Sequence, residues 1–297
     1  MNSVIFDGKT FAAEKELALK KQVDLLHAIG KTIRVTSLTF KEDEGSVLYS
    51  SLKKKAADRI GILYEPLLCS LTDDQGSLIQ TVRELSFNAS VTGVMIQKPS
   101  KKVWTDHNDG RATLDFSKWW EALTTAIDPN KDVDCLTRSN LDRIFSLRRV
   151  DETLLIPATV KAVLAILQQA KNTLDCSSEE WMKKSVLVIG KSDIVGKPLT
   201  HLLRVLGHTV VNVGTQEFEL TRTQDFPIVI SAVGQPDLVT GDMIAEGTIV
   251  IDVGSPAGDI ERFSVENKAA FLTPVPGGVG PVTVASLLSN ILQIVNR

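Results

Sequence analysis

The stretch Val186-Leu-Val-Ile-Gly190-Lys-Ser-Asp-Ile-Val-Gly196-Lys-Pro198 decides how the chain is read. Four consecutive aliphatic residues read as a buried strand of a parallel sheet, and they run directly into glycine. Pro198 suits a first helical turn, where its missing N–H leaves no bond unmade. Strand, glycine turn and helix together aim backbone N–H groups and a positive dipole end at one point, which suits a pyrophosphate. The two glycines are six residues apart, so the dinucleotide spacing G-x-G-x-x-G is absent. Taken alone, the turn reads equally as a nucleotide site or as an ordinary tight connection.

Further strand and helix signals follow it. Ser185 to Ile189, Thr209 to Val213, Ile228 to Val233 and Thr248 to Val253 read as strands, and Leu199 to Leu206 as a helix. Two of these strands also end in glycine turns, Ala232-Val-Gly-Gln-Pro236 and Asp252-Val-Gly254. Three such turns at the carboxyl edge of one sheet predict a cofactor crevice. The N-terminal third shows the same rhythm. Phe11 to Ile29 has helical spacing and ends at Gly30, Thr32 to Phe40 is a strand, and Ser46 to Ile60 is a helix closed by Gly61. Ile62 to Cys69 is a second apolar run, a short helix ends near Phe87, and Val91 to Ile96 is a third strand closed by Pro99. The polar stretch from Lys98 to Asp115 reads as a loop. Helices over Phe116 to Ile127 and Ala158 to Gln169 flank the segment from Asp128 to Arg143. These patterns predict two α/β domains with a junction between Arg148 and Ile156.

Composition removes several classes of function. The 33 basic and 36 acidic side chains leave a net charge of -3, whereas a general nucleic-acid binder carries a basic excess. The apolar runs are too short for a membrane helix, and the N-terminus lacks the apolar core and cleavage site of a secretory signal. Three scattered cysteines argue against a disulfide framework, and the four histidines share no ligand spacing with them, so no metal is expected. A reducing cytoplasm is the expected setting. Near the C-terminus, Thr273-Pro-Val-Pro-Gly-Gly-Val-Gly-Pro281 packs three prolines and three glycines into nine residues, a loop that can be rigid and still approach a ligand closely. By itself it reads better as a stiff linker before the last helix, Val282 to Val295.

The two motifs in combination, GKSDIVGKP and TPVPGGVGPVTVASLL, resemble the bifunctional methylenetetrahydrofolate dehydrogenase/methenyltetrahydrofolate cyclohydrolase family, whose matching stretches read GRSxIVGxP and TPVPGGVGPMTVAMLL. Asp7-Gly8, Tyr49 to Lys53, Val91 to Pro99, Asp128 to Asp134, Pro157-Ala-Thr159, Ala232 to Pro236 and Ile251 to Gly254 extend the likeness over almost the whole chain. The resemblance implies a βαβ catalytic, folate-binding domain over residues 1–150, completed by 275–297 through a returning C-terminal helix. It implies a Rossmann-like, doubly wound parallel-sheet NAD(P)-binding domain over 151–274. It further implies NADP-linked oxidation of 5,10-methylenetetrahydrofolate and hydrolysis of the methenyl product to 10-formyltetrahydrofolate, a place in one-carbon metabolism and purine biosynthesis, and a homodimer.

The resemblance also assigns residues. Lys53 is the catalytic amine and Tyr49, four residues earlier, shares its helix face. A lysine serves as a base only if desolvation or a neighbouring cation lowers its pKa. Gln97 is the amide that contacts and tunes the lysine, and Asp134 is the carboxylate that grips the pterin; Asp132 is the structural alternative. Pro276, Gly277 and Thr283 belong to the loop over substrate and nicotinamide. Gly190, Lys191, Ser192, Ile194, Val195, Thr215, Val233, Gly234, Gly254 and Ser255 belong to the cofactor site. The residues alone favour solvated positions for Lys53, Lys54 and Lys55; the aligned tyrosine singles out Lys53.

The chain departs from the family pattern in places. Lys191 replaces an arginine that binds the extra phosphate of NADP, keeping the charge but not the planar grip. Glu217 lies close by, so NADP is expected with NAD as the alternative. Cys135 replaces the glycine of KDVDG, Ile96-Gln97-Lys98-Pro99-Ser100 replaces VQLPL, Pro157-Ala-Thr-Val160 replaces PCTP, and Ser255 replaces an isoleucine. The readings weighed against two activities are a single-activity dehydrogenase and a non-catalytic nucleotide-binding module. An amino-acid or hydroxy-acid dehydrogenase has only architecture in its favour.

Overall fold

A computed structural model describes residues 3–108, 115–149, 154–219 and 221–297. In chain order the elements are β1 (Val4–Ile5), α1 (Gly8–Ala28), β2 (Arg34–Phe40), α2 (Glu44–Ile60), β3 (Leu63–Cys69), α3 (Gln75–Phe87), β4 (Gly93–Ile96), α4 (Lys101–Asn108), α5 (Phe116–Thr125), α6 (Arg138–Ser146) and α7 (Ala158–Thr173). There follow α8 (Ser178–Lys183), β5 (Val186–Ile189), α9 (Gly196–Val205), β6 (Val210–Val213), α10 (Thr215–Phe218), β7 (Ile228–Ser231), β8 (Ile249–Asp252), α11 (Arg262–Glu266), β9 (Phe271–Leu272) and α12 (Val279–Val295). The chain forms two compact units, one of Met1–Ala13 with Arg143–Ser286 and one of Glu14–Asp142 with Leu287–Arg297. Part of the junction expected between Arg148 and Ile156 lies outside the described residues, as does part of the stretch Lys98 to Asp115.

In the Glu14–Asp142 unit, three parallel strands run in the order β3-β2-β4. The central strand β2 is buried from Val35 to Phe40, whereas β3 is an edge strand with most of its side chains exposed. Helix α2 starts where the Asp43 carboxylate accepts the N–H of Ser46. Its buried residues Ser46, Ser50, Lys53, Ala57 and Ile60 recur at helical spacing, so Lys53 lies on the inward face and not in the solvated position that the residues alone favour. Small neighbours on that stripe leave room for so long a side chain.

In the other unit, six parallel strands run in the order β1-β9-β8-β7-β5-β6. Leu187, Ile189, Val229 and Val250 lie in its core with Val239, Ile244 and Leu272. The chain crosses from β6 to the far side of β5 to make β7, so the strand order reverses between β5 and β7. That is the switch point at which an open sheet leaves a crevice.

Several elements differ from the sequence reading. The stretch read as a loop from Lys98 contains α4, started by Ser100 Oγ accepting the N–H of Val103 at 3.2 Å. Only Trp104 and Asn108 of α4 are buried, too few for a periodic signal, and Trp104 packs against Phe116 and Trp119 at 5.4 and 5.7 Å. Strands β1 and β9 escape notice because each has two residues; Val4 pairs with Phe271 and Ile5 with Leu272. Helix α6 lies partly inside the Asp128 to Arg143 segment, which was read as bracketed by helices rather than helical itself. Among the described residues no helix is long and apolar enough to cross a membrane.

Candidate active site

Helix α2 and the end of β4 build the first candidate centre. Lys53 is buried, and its Nζ donates to Gln97 Oε1 at 3.2 Å and lies 4.0 Å from Met95 Sδ. The backbone of Gln97 stays in register with the sheet by donating to Leu38 O at 2.8 Å, which fixes where its amide points. The other end of that amide, Nε2, is buried and has no hydrogen-bond partner. The Tyr64 hydroxyl is a protein group that this amide acts on.

The surroundings of the amine set its proton affinity. Burial pushes Lys53 below the ordinary lysine value, while the carboxylate of Asp134 pulls in the opposite direction. Asp134 is half-buried, as is Tyr49, one turn before Lys53 on α2. The structure thus brings Lys53, Gln97 and Asp134 into one electrostatic neighbourhood. Asp132 belongs to the scaffold instead. It is fully buried and accepts the N–H groups of Leu136 and Thr137, the hydroxyl of Thr137 and the amide of Asn140 at 2.8 to 2.9 Å. Cys135 sits between these features with φ +56°, in the left-handed region that favours glycine.

Three polar residues beside the amine were not singled out from sequence. Tyr64 is buried on β3 and its hydroxyl lies 3.4 Å from Met95 Sδ, while Thr39 Oγ1 donates to Ser50 Oγ at 3.0 Å. Ser37 shares the face of β2 that bears Thr39. The available signal was three hydroxyl residues, Thr36, Ser37 and Thr39, within one seven-residue strand.

The second candidate centre lies in the six-stranded unit. A Cβ on Gly196 would lie 2.0 Å from Gly190 O, and one on Gly190 would lie 2.5 Å from Ala232 O, so the turn closes on itself and on the end of β7. Asn212 straps it from β6, donating to Val188 O at 2.9 Å and Gly190 O at 2.8 Å; sequence reasoning missed this residue. Ser192 Oγ accepts the N–H groups of Val195 and Gly196 at 3.2 Å and so caps α9. Ile194 and Val195 are half-buried, and Lys191 and Thr215 are exposed.

The two later glycine turns are held from within. The buried Asp259 carboxylate accepts the N–H groups of Val233, Gly234 and Gln235 at 2.8 to 2.9 Å and the hydroxyl of Ser231 at 2.7 Å. The Asp252 carboxylate accepts the N–H groups of Gly254, Asp259 and Ile260, while its burial raises its pKa to about 6. The N–H groups of Val233, Gly234 and Gly254 therefore serve the scaffold and are not aimed at a ligand. A Cβ on Gly234 would meet Ser255 O at 3.7 Å, an ordinary contact, while φ +80° is the left-handed region that favours glycine. Ser255 is exposed and the Ser255–Pro256 peptide is cis.

The proline-glycine loop follows β9. Gly278 donates to Pro274 O at 2.8 Å, and a Cβ on Gly8 would collide with Gly278 O at 2.0 Å. Pro276 is exposed, Gly277 and Thr283 are half-buried, and the Val275–Pro276 peptide is cis.

Residues 6–134 match the family described as tetrahydrofolate dehydrogenase/cyclohydrolase, catalytic domain, and residues 157–297 match its NAD(P)-binding domain. The chain belongs to this family. Among its relatives, the bifunctional protein FolD of Lactobacillus helveticus is 33% identical, covering 99% of this chain and 98% of the relative. FolD of Staphylococcus haemolyticus is 31% identical, with 98% and 96% covered. Two solved structures of the tetrahydrofolate dehydrogenase/cyclohydrolase family share the fold. The bifunctional FolD of Campylobacter jejuni has a TM-score of 0.83 at 28% identity, with 99% of each chain covered. The Trypanosoma brucei enzyme, complexed with NADP cofactor and inhibitor, has a TM-score of 0.83 at 29% identity, with 99% and 98% covered.

Proposed function

We propose that the chain oxidises 5,10-methylenetetrahydrofolate to 5,10-methenyltetrahydrofolate and hydrolyses that product to 10-formyltetrahydrofolate, an enzyme of one-carbon folate metabolism with two activities. The observation that carries the residue assignment is the buried Lys53 amine at 3.2 Å from Gln97 Oε1, with the Asp134 carboxylate acting on it. A nicotinamide dinucleotide, when bound, accepts the hydride that leaves the one-carbon bridge. Gly190, Lys191, Ser192, Ile194, Val195, Thr215, Val233, Gly234, Gly254 and Ser255 are the proposed cofactor residues, and NADP is the proposed cofactor with NAD also accepted.

Lys53 has the properties of a base for the second reaction. Its desolvated amine favours the neutral form, and a neutral amine can donate one N–H to Gln97 while its lone pair stays available. Water adds to the methenyl carbon and gives one proton to Lys53. The C–N5 bond of the resulting carbinol then breaks with its electron pair going to N5, the carbinol oxygen becomes the formyl carbonyl, its proton is transferred to N5, and the proton held by Lys53 leaves to solvent. Gln97 orients the amine without adding charge. Asp134, an acceptor at both oxygens, suits the N–H edge of a pterin, and Tyr49 lies one turn from Lys53 to flank it. Pro276, Gly277 and Thr283 are proposed to contact substrate. The folate-binding domain is proposed as residues 1–150 with 275–297 and the cofactor domain as 151–274, although Met1–Ala13 and the chain from Arg143 to Ser286 pack together in the unit of the six-stranded sheet.

The three free cysteines fit a reducing cytoplasm, and the family resemblance supports a homodimer. The test follows formation and decay of the methenyl absorbance with methylenetetrahydrofolate and either NADP or NAD. Lys53→Met should lower water addition by about 100-fold or more and hydride transfer by less, as expected for loss of a general base. Equal losses would remove Lys53 as the base, and wild-type oxidation without hydrolysis would leave a single-activity dehydrogenase.

A further inference from the structure

We propose that Glu217 sets the choice between NAD and NADP by holding the one cation placed to take the 2′-phosphate. This rests on the dinucleotide reading of the six-stranded unit and names the residue that discriminates. β5 and β6 are in register, Ile189 opposite Val213, so the turns that follow them open on the same edge of the sheet. Lys191, in the first turn, lies 2.6 Å from Glu217 Oε1 in the second, across 26 residues of chain. The other carboxylate oxygen accepts the N–H of Gly214 at 2.5 Å, so Glu217 is held at both oxygens against the end of β6. Both bonds hold its carboxyl below the usual range and keep it ionised at neutral pH.

In a doubly wound sheet this edge faces the adenosine ribose. A carboxylate there accepts a hydrogen bond from the 2′-hydroxyl of NAD, and a cation there takes the 2′-phosphate of NADP. Here both charges are present and each is engaged by the other. Lys197, the other cation of the first turn, is likewise tied to Asp193 at 2.6 Å. A 2′-phosphate must therefore draw Lys191 away from Glu217 and then lie beside the carboxylate it has exposed. A 2′-hydroxyl donates to Glu217 without separating the pair. Both side chains are about half exposed, so the pair, with the carboxylate it leaves beside the phosphate, offsets part of the advantage that Lys191 would give NADP and narrows the gap between the two cofactors.

The test measures binding directly, by titrating the wild type and variants with NADPH and NADH and following nicotinamide fluorescence without folate. Glu217→Gln should tighten NADPH and weaken NADH, moving the ratio of dissociation constants by about tenfold or more, the size expected when one charge-assisted contact is released. Lys191→Gln added to Glu217→Gln should abolish the gain for NADPH. Glu217→Ala, with a thermal melt on each variant, separates loss of charge from misfolding. An unchanged ratio in both folded Glu217 variants overturns the proposal, as does a gain that survives loss of Lys191. Binding that shifts as described without any folate turnover would sustain this inference while the folate reading fails; no binding of either dinucleotide would overturn both.

Discussion

At the scale of single residues, Lys53 links the chemistry to stability. In the unfolded chain its amine titrates near its ordinary 10.5, and burial lowers that value in the folded state. Between the two values the unfolded chain binds more protons, so this residue's contribution to stability rises with pH across that window. Below the folded value the cost of the buried amine is constant. Lys53→Met removes the titration, so the variant should melt above the wild type at neutral pH, and the gap should narrow as pH rises towards 10. A gap independent of pH would mean that the amine titrates normally. Cys135 supplies a second test. At φ +56° a side chain costs about 1 kcal/mol that glycine does not incur. Cys135→Gly should therefore be more stable than Cys135→Ala by about 1 kcal/mol in denaturant unfolding, the reverse of the usual order at a buried site. Alanine equal to or above glycine would remove the strain.

At the scale of elements, the start of α2 is tied to the segment after β4 through one buried carboxylate. Asp43 Oδ1 accepts the N–H of Ser46 at 3.1 Å, and Oδ2 accepts the N–H of Ser100 at 2.6 Å. One side chain thus caps the helix that carries Tyr49 and Lys53 and anchors the chain just beyond Gln97. Asp43→Ala should cost about 2 kcal/mol, from the lost cap and the lost bond to the Ser100 N–H, and should lower folate turnover as well. Lys54→Ala on the same helix, which breaks an exposed pair with Asp58 at 3.0 Å, should change stability by at most a few tenths of a kcal/mol. Equal effects of the two substitutions in denaturant unfolding would show that Asp43 is not an anchor.

At the scale of the whole molecule, the last eleven residues complete the folate-side unit. Leu287, Leu288, Ile291 and Leu292 are buried, and Asn290 donates to Val133 O at 3.1 Å, next to Asp134. Four buried aliphatic side chains contribute about 1.5–3 kcal/mol each, a sum comparable to the whole stability of a typical domain. A chain ending at Ser286 should therefore fail to give a cooperative folded Glu14–Asp142 unit, measured by thermal melting and by protease resistance of that segment. A protected segment with a sharp transition would show that the helix end is dispensable.

The two strand-rich halves and both glycine-bearing motifs were legible in the sequence, because strand runs and turn residues act over a few positions. Lys53 was set apart from Lys54 and Lys55 only by its motif; only the folded helix shows it on the buried stripe with Ser46, Ser50, Ala57 and Ile60. The tertiary structure alone decided what touches what across long separations: the Gln97 amide on the Lys53 amine, the Asp259 carboxylate holding the turn at Val233, and Glu217 holding Lys191. It alone separated Asp132, enclosed by four donors, from Asp134, and it alone put a left-handed backbone under Cys135. Local sequence sets which face a side chain presents, whereas the energy of a buried charge or an unpaired amide depends on groups that only the folded chain brings within a few ångströms.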